Sequence, residues 1–417
     1  MSGTLGLDFG TSNTAAGVTV NGKPHLIEVE SGRDTLPTSV FFDAFDPVIL
    51  FGSAANAALI EGREGRFMRA LKSVPGTSLM REVRWVGHAR KSLIEVIASF
   101  LMQVKTQAEV ATGQVFDTAL SGRPVHFHST DSARDAQALV DLRDCYLAAG
   151  FRDVRFMFEP EAAALGYGGL AQGTTGLIVD IGGGTSDFTV FRGGDDGIQI
   201  LASHGVRIGG TDFDKALNLR HVMPLLGQGT HIRHVFGSDT HVAPNSIFQD
   251  LATWEKIPFL YNAATRRDVD EMLKLAVEPD KFSRLAEVLE HELGHDLAFA
   301  VEAAKIAVNS GADADIVLKV VQKGLTAALT QVDLWTGLHD QAARIGEVAK
   351  VTLDMADVPA KDIGSVILVG GSSLMRVVES VLRGLCPEAT VERGDAFTAI
   401  ADGLALAAAR PFDSHPV

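Results

Sequence analysis

Apolar runs and helical repeats alternate along the chain and predict strands mixed with helices. Ala15–Val20 and His25–Glu30 have the pattern of strands, and Asn21-Gly22 between them suits a tight hairpin turn with positive φ. Phe188–Arg192 and Ile198–Ser203 form a second pair around a glycine-rich turn. Strands of this kind between helical stretches predict an α/β fold in which helices pack against sheets.

Helical spacing of apolar residues predicts four long helical stretches: Lys91–Thr112, Ser132–Ala149, His291–Asn309 and Val317–Met355. The first two end at Gly113 and Gly150, and Ser129-Thr130-Asp131 offers capping side chains to the second. We expect a break in the fourth near Gly337. The segment Pro224–Ser283 is less regular, and we interpret it as part of an inserted subdomain.

One short pattern occurs twice. Leu7–Ser12 and Val179–Thr185 each contain an apolar run, an aspartate and a glycine turn with hydroxyl side chains. Each copy is followed by one of the two predicted hairpins. A repeat of the motif together with its hairpin indicates two similar α/β lobes.

Composition narrows the possible partners. The 417 residues are 46% hydrophobic and carry a formal charge of −15, which is typical of a globular protein with an acidic surface. Such a surface repels nucleic acid and anionic lipid, so we expect neither partner and no membrane. The two cysteines cannot form a disulfide framework, and no signal peptide is recognisable, so we expect a cytoplasmic location.

The repeated motif predicts a phosphate site. In open α/β sheets, ligands bind outside the carboxyl ends of strands, where a glycine turn lets backbone N–H groups approach a phosphate. A carboxylate at the same place, such as Asp8 or Asp180, can hold Mg²⁺ through water. A third strand and Gly-Gly turn, Val366–Ser373, could take the nucleoside side of the ligand.

The chain resembles the ATPase domain of the DnaK-type heat-shock chaperones, within the actin, sugar-kinase and heat-shock ATPase superfamily. The motifs that carry the resemblance occur in family order: Leu7–Asn13, Phe158–Ala164, Val179–Asp187, Ile208–Asp214 and Ile367–Ser373. Phe67–Ser73, and the expected absence of a peptide-binding domain, resemble the short YegD-like branch most closely. The resemblance implies two ribonuclease-H-like (actin-like) lobes around a nucleotide cleft, with smaller inserted subdomains.

The resemblance also implies roles for individual residues in binding ATP or ADP with Mg²⁺. Asp8 and Asp180 would be metal ligands through water, Lys72 would neutralise the γ-phosphate, and Glu159 would orient or deprotonate the attacking water. Asp180 and Thr185 join Lys72 and Glu159 as the expected catalytic set. The expected nucleotide-binding residues are Asp8, Gly10, Thr11, Ser12, Asn13, Gly182, Gly183, Gly184, Gly209, Gly210, Glu302, Lys305, Gly370, Gly371 and Ser372.

On the adenosine side the chain departs from the family pattern. Val301–Ile306 resembles the helix whose Glu and Lys reach the ribose and adenine, but Ile306 and Leu374 stand where the family has arginines. Loss of two cationic contacts would weaken binding of the base by about 1 kcal/mol each. Adenine specificity is therefore an open question at this point.

The predicted domains follow from the repeat. Lobe I is expected at 1–170 with an insertion at about 37–112, completed by a C-terminal helix at 395–410. Lobe II is expected at 171–394 with an insertion at about 219–310, and no substrate-binding domain is expected. The predicted function is slow, nucleotide-gated ATP hydrolysis, with a co-chaperone or client protein as a further partner.

Three alternatives compete with this function. A small-molecule, sugar-type kinase of the same superfamily would also use Glu159 as a base, and a bacterial actin-like filament would share the fold. His291-Glu292-Leu293-Gly294-His295 is a literal HExxH, which on a helix would place two histidines on one face for zinc. The match is short and contains a glycine, so we expect no metalloprotease site. The loosely clustered His221, His231, His234 and His241 are expected to be solvated loop residues.

Overall fold

The computed structural model describes residues 3–128, 131–167, 172–194, 197–234, 239–393 and 398–410. In chain order the strands are β1 (Gly3–Phe9), β2 (Asn13–Val20), β3 (Lys23–Leu26), β4 (Thr35–Pro37), β5 (Ser39–Asp43), β6 (Ile49–Phe51), β7 (Gly65–Arg69), β8 (Arg84–Val86), β9 (Ala89–Lys91), β10 (Phe116–Arg123), β11 (Asp153–Phe158), β12 (Thr175–Ile181), β13 (Ser186–Gly194), β14 (Gly197–Val206), β15 (His231–Arg233), β16 (Thr240–Val242), β17 (Ala314–Val317), β18 (Thr326–Leu329), β19 (Ser365–Val369) and β20 (Thr390–Glu392).

The α-helices are α1 (Gly52–Ile60), α2 (Leu93–Thr112), α3 (Ser132–Ala148), α4 (Glu159–Gly166), α5 (Gly210–Leu217), α6 (Ser246–Leu251), α7 (Ala263–Leu275), α8 (Pro279–Glu290), α9 (Gly294–Asn309), α10 (Gln331–Gly337), α11 (His339–Met355), α12 (Arg376–Leu385) and α13 (Ala399–Ala408). The predicted mixed α/β class is confirmed. Within the described ranges, no helix is long and apolar enough to cross a membrane.

The chain divides into two compact units. The first contains the residues up to Arg207, Ile345–Leu374 and the chain from Val378 onward; the second contains Ile208–Arg344 and Met375–Val377. Both large sheets lie in the first unit. The predicted lobe boundaries and insertions stay predictions, and residues 394–397, where the C-terminal helix was expected to begin, lie outside the described residues.

The two large sheets have the same strand order. The first runs β11-β10-β1-β2-β3, with β4 on the edge of β2, and the second runs β20-β19-β12-β13-β14. In each, an antiparallel hairpin (β1 with β2, β12 with β13) is joined to a parallel strand, β10 or β19. The motif repeat therefore coincides with a repeat of strand order. Asn21 and Gly22 have φ of 52° and 76°, which confirms the predicted turn between β2 and β3.

Helices α4 and α13 form a shared core with both sheets. Leu120 from the first sheet and Ile178 from the second belong to one buried cluster with Ala162 of α4 and Leu404 of α13. The two helices approach closely because α13 has a glycine at the contact. A Cβ on Gly403 would lie 1.7 Å from the carbonyl oxygen of Ala162 in α4. These helices therefore bring the carboxyl-end loops of the two sheets together within the first unit.

The caps of the predicted helices largely match expectation. Ser92 caps α2 in a capping box with Glu95, and the helix ends at Gly113 with φ of 66°. Asp131 caps α3 by accepting from the Arg134 N–H at 3.0 Å. The start at Lys91 was wrong by two residues, since the capping box begins α2 at Leu93, and Ser129 and Thr130 lie outside the described residues.

Several predicted elements were wrong. Residues 317–329 are mostly the β17–β18 hairpin rather than helix, because Gly324 turns the chain with φ of 78° and the short apolar runs fit either period. The break near Gly337 is confirmed, since α10 ends there and α11 begins at His339. The strand expected at His25–Glu30 is β3, Lys23–Leu26. The irregular segment Pro224–Ser283 is largely helical, with α6, α7 and part of α8.

The predicted helix His291–Asn309 is also wrong at its start. Glu292 adopts a left-handed φ of 55°, so α8 ends at Glu290 and a new helix, α9, begins at Gly294. His291 is exposed near Glu287, whereas His295 is buried against the Trp254 ring. The two histidines of the HExxH pattern therefore do not share a helix face.

Gly403→Ala tests the helix contact. The added Cβ has no room against the Ala162 carbonyl, so we expect a loss of about 3 kcal/mol in the free energy of unfolding, measured by urea denaturation. Gly384→Ala in α12 is the control, because a Cβ there meets nothing within 4 Å. It should leave stability unchanged or raise it by up to about 1 kcal/mol. Equal effects of the two variants would contradict the packing argument.

Candidate functional site

The two repeated glycine turns lie against each other. Gly10–Ser12 links β1 to β2, and a Cβ on Gly10 would lie 2.2 Å from the Asn13 carbonyl oxygen. Gly182–Thr185 links β12 to β13, closed by an N–H···O bond of 2.9 Å from Gly182 to Thr185. A Cβ on Gly183 would lie 2.5 Å from Ser12 Oγ, so the two turns are in close contact at this glycine.

The third predicted turn packs on the second. Gly370 follows β19 with φ of 77°, and a Cβ there would lie 2.5 Å from the Ile181 carbonyl oxygen and 2.8 Å from Asp180 Oδ1. Ser373 closes the turn by donating from Oγ to the Gly370 carbonyl at 2.7 Å. Gly371 and Ser372 lie in the short 3₁₀ turn that follows. All three predicted turns thus belong to one region of the first unit.

Lys72 and Glu159 form a buried ion pair beside these turns. Lys72 lies in a 3₁₀ turn, Leu71–Ser73, which Ala70 initiates in a left-handed conformation, and Leu71 anchors it in the core. Glu159 begins α4 directly after β11, and its Oε1 accepts a hydrogen bond from Lys72 Nζ. Only 9% of each residue is exposed. The main contact of Glu159 in the folded chain is therefore Lys72.

Three aspartates complete the cluster. Asp8 is buried near the end of β1, and Asp180 and Asp187 face each other in register across the β12–β13 hairpin, where both are partly exposed. Asp180 and Asp187 line a narrow cavity together with Glu159. Apolar side chains, including Val369 and Ile400, form its other walls.

Burial, with a smaller effect of neighbouring carboxyls, raises the pKa of all three aspartates. Burial raises the pKa of Asp8 to about 7, with a further contribution from Glu159 and an opposing one from Lys72. Burial and Glu159 likewise raise the pKa of Asp187 to about 7, and burial with Glu159, Asp187 and Asp8 raises that of Asp180 well above its ordinary value. Lys72 stabilises the ionised forms of these carboxyls only in part, so their pKa values stay raised.

Lys72 supplies the positive charge among these five side chains. Burial opposes its charged form, but the attraction of Glu159 and Asp8 prevails, so its pKa is raised and it stays protonated at neutral pH. Four carboxyls against one ammonium leave the cluster suited to an additional cation.

The donor set fits Mg²⁺ held through water better than a directly bound ion. In the described ranges, no three His, Cys, Asp or Glu side chains converge as a direct metal site. Mg²⁺ sheds its water reluctantly and is commonly bound by one or two carboxylates plus phosphate oxygens. Asp8 and Asp180 are the carboxylates beside the two glycine turns. The loose histidine set is likewise no metal site, although the rings of His234 and His241 lie 4.6 Å apart.

The remaining predicted residues lie in the second unit. Gly209 caps α5, with its N–H donating to Asp212 at 2.9 Å, and Gly210 begins that helix. On α9, Glu302 is exposed, whereas Lys305 is buried and its Nζ lies 2.7 Å from Asp214 Oδ1. Their assignment to nucleotide binding stays a prediction, as does the role of Glu302 and Lys305 on the nucleoside side.

Sequence reasoning missed two charged residues of these sites. Asp187 is the last residue of the motif Val179–Asp187, and the motif alone predicts no role for it. Antiparallel pairing across the Gly182–Thr185 turn places it opposite Asp180. That signal was available from the predicted hairpin. Asp214 also lies within a recognised motif, but its pairing with Lys305 of α9 depends on tertiary structure.

Comparisons with known proteins show which family the chain resembles. Residues 73–233 match the model of the Hsp70 protein family. The chain is 34% identical over 225 residues to the chaperone protein DnaK of Thermoplasma acidophilum, and 33% over 226 and 32% over 225 residues to those of Thermoplasma volcanium and Picrophilus torridus. Each match covers 52% of this chain and 35% of the relative.

The resemblance to DnaK-type chaperones is therefore confirmed over this part of the chain, while the YegD-like branch stays a prediction. The matched region spans about a third of the length of these relatives. The family model covers Glu159, Asp180 and the Gly182–Thr185 turn. It begins one residue after Lys72, so the inclusion of Lys72 and Asp8 in the site depends on their geometry.

Asp8→Asn tests the charge imbalance. A carboxyl whose pKa is raised to about 7 on folding loses its stabilising effect as the pH rises from about 4 to about 7. Without ligand, we expect the free energy of unfolding of the original protein to fall over pH 5.0–7.5, by up to about 1.4 kcal/mol per pH unit for this group.

Urea denaturation at several pH values measures the effect. Asp8→Asn should show a shallower decline, and Asp354→Asn at an exposed position of α11 should leave the slope unchanged. If the free energy of unfolding declined as steeply in Asp8→Asn as in the original protein, folding would not raise the pKa of Asp8.

Proposed function

We propose that this chain binds ATP or ADP with Mg²⁺ and hydrolyses ATP slowly. The observation that carries the proposal is the buried Lys72–Glu159 pair set between two adjoining glycine turns and the carboxyls Asp8 and Asp180. Phosphoryl transfer to water requires chiefly positioning and charge stabilisation, and this set of groups supplies both. The similarity to DnaK over 225 residues supports the same conclusion.

In this proposal the two turns bind the phosphates. Backbone N–H groups of Gly10–Ser12 and Gly182–Thr185 would donate to the β- and γ-phosphate oxygens, with Asn13 at the edge of the first turn. Asp8 and Asp180 would hold Mg²⁺ through its waters, and the ion would neutralise charge on the phosphates. The Gly370–Ser372 turn would bind the nucleoside. Gly209, Gly210, Glu302 and Lys305 stay predicted nucleotide-binding residues.

In this proposal, the Lys72–Glu159 ion pair explains both the hydrolysis of ATP and its low rate. Lys72 stays protonated and would offset the charge that develops on the γ-phosphate. Glu159 would orient the attacking water and accept its proton, but its Oε1 already accepts from Lys72 Nζ. One carboxylate oxygen is thus left for the water, and we expect slow turnover.

Two further elements belong to the proposal. The equal strand order of the two sheets that supply the turns supports two actin-like lobes that close on the nucleotide. A co-chaperone or a client protein would then read the nucleotide state. Only the similarity to DnaK supports an interaction with such a partner protein.

Lys72→Ala tests the catalytic role. We expect phosphate release from ATP to fall by roughly 10² to 10³-fold, because a buried, preorganised positive charge is removed from the reacting phosphate. Lys350→Ala, at an exposed position of α11, is the control and should keep the original rate. Turnover in Lys72→Ala equal to that of the original protein, with the fold intact, would refute the assignment.

The same assay separates the kinase alternative. ADP release is measured with ATP alone and with a panel of sugars. Release that does not depend on an added acceptor supports the ATPase. Release that requires a sugar would favour the sugar-type kinase.

Asp180→Asn tests the role in magnesium binding. By calorimetry, removal of Mg²⁺ with a chelator should weaken ATP binding to the original protein by about tenfold or more, since the ion links the carboxylates to the phosphates. In Asp180→Asn that difference should largely disappear. An undiminished difference would show that Asp180 has no part in holding the ion.

A further inference from the structure

The segment that carries Lys72 is fixed at a second place, remote from Glu159. After the 3₁₀ turn Leu71–Ser73, the chain continues through Pro75 and Gly76 to a second 3₁₀ turn, Ser78–Arg81, that buries Met80. We call residues 71–81 the lysine loop. Its position determines where the Lys72 ammonium lies.

A buried carboxylate on α3 holds this loop. Asp141 is fully buried, and its Oδ2 accepts from the Gly76 N–H at 2.8 Å. Its Oδ1 accepts from Arg81 and, at 2.8 Å, from Gln137 Nε2. One side chain thus binds both the middle and the end of the lysine loop.

The loop fits closely against its support. Gly76 has φ of 83°, and a Cβ there would lie 2.5 Å from the Arg134 carbonyl oxygen and 2.8 Å from His128 Nε2. His128 Nε2 donates to the Pro75 carbonyl at 2.8 Å. The loop can therefore occupy this place only with glycine at position 76 and with its backbone bonded to α3 and to the segment before it.

We propose that Asp141, together with Arg81, is a positioning residue that sets Lys72 against Glu159 for the proposed hydrolysis. Asp141 touches no nucleotide in this scheme and acts through the loop. Loss of its charge leaves Arg81 with one carboxylate partner, Asp144 at 3.0 Å, and leaves the Gly76 N–H to a weaker neutral acceptor. The loop then moves away from α3 and takes the Lys72 ammonium with it.

The inference rests on the proposed function for its effect on turnover, but the position of Lys72 can be measured without ATP. The test uses the full chain with three substitutions: Asp141→Asn, Arg81→Gln and Asp43→Asn. Asp43 is a matched control, because it is also a buried carboxylate that accepts from two backbone N–H groups (Phe45 and Asp46) and an arginine, Arg63, outside the lysine loop.

The first readout is the reactivity of Lys72 toward an acetylating reagent, followed by mass spectrometry and normalised to exposed Lys350. We expect several-fold faster acetylation in Asp141→Asn and a smaller increase in Arg81→Gln. Asp43→Asn should label like the original protein even if its stability falls as far. Equal labelling of Lys72 in Asp141→Asn and Asp43→Asn would overturn the inference.

The second readout is ATP turnover. Displacement of a catalytic group costs rate more than substrate affinity, so kcat should fall roughly tenfold or more in Asp141→Asn while KM for ATP changes little. Asp43→Asn should keep kcat. A fall in stability alone, with kcat unchanged in folded Asp141→Asn, would contradict the proposal.

Arg81→Gln keeps the test available if Asp141→Asn does not fold, because the Arg81 side chain is 52% exposed and its loss leaves no cavity in the core. Failure of the two proposals can be told apart. If the original protein does not hydrolyse ATP but Asp141→Asn still exposes Lys72, the proposed function is wrong and the positioning role stands. If ATP is hydrolysed but Lys72 labelling and kcat do not respond in either variant, only the positioning role is wrong.

Discussion

The site depends on one unbalanced arrangement of charge. Four carboxyls interact with one another where little water surrounds them, and Lys72 offsets only part of their charge. They belong to Asp8, Glu159, Asp180 and Asp187. A fold maintains such a cluster only when its other interactions hold the groups in place, because desolvation of charge is costly. Under the proposed function, this imbalance would favour a ligand that brings a divalent cation and accepts hydrogen bonds from the turns.

Small residues and short turns create this arrangement. Glycines at positions 183 and 370 lie where the three turns meet, and Gly10 leaves no room for a side chain inside its own turn. Gly403 and Gly166 let α4 and α13 pack against each other, and α4 in turn begins with Glu159. On the other side, Asp141 fixes the loop that carries Lys72. The chemistry thus depends on backbone approach as much as on charged side chains.

Sequence reasoning predicted the parts of this site that are local. The motif around Asp8, its repeat around Asp180 and the turn at Asn21-Gly22 each depend on a few adjacent residues whose conformational needs are specific. The reasoning failed where short apolar runs fit two periods, as in the β17–β18 hairpin, and where Glu292 adopts a left-handed conformation that ends a helix. The roles of Asp214 and Asp141 depend on partners distant in the chain, so they could be recognised only in the folded structure.

Proton release on ligand binding tests the charge argument most directly. Calorimetric titration with Mg·ADP at pH 6.5, in buffers of different ionisation enthalpy, gives the number of protons exchanged. If burial and mutual repulsion keep Asp8 and Asp187 partly protonated, the arriving cation lowers their pKa and protons pass to the buffer. We therefore expect a binding heat that varies with the buffer in the sense of proton release. A binding heat independent of the buffer, or no binding at all, would contradict the account.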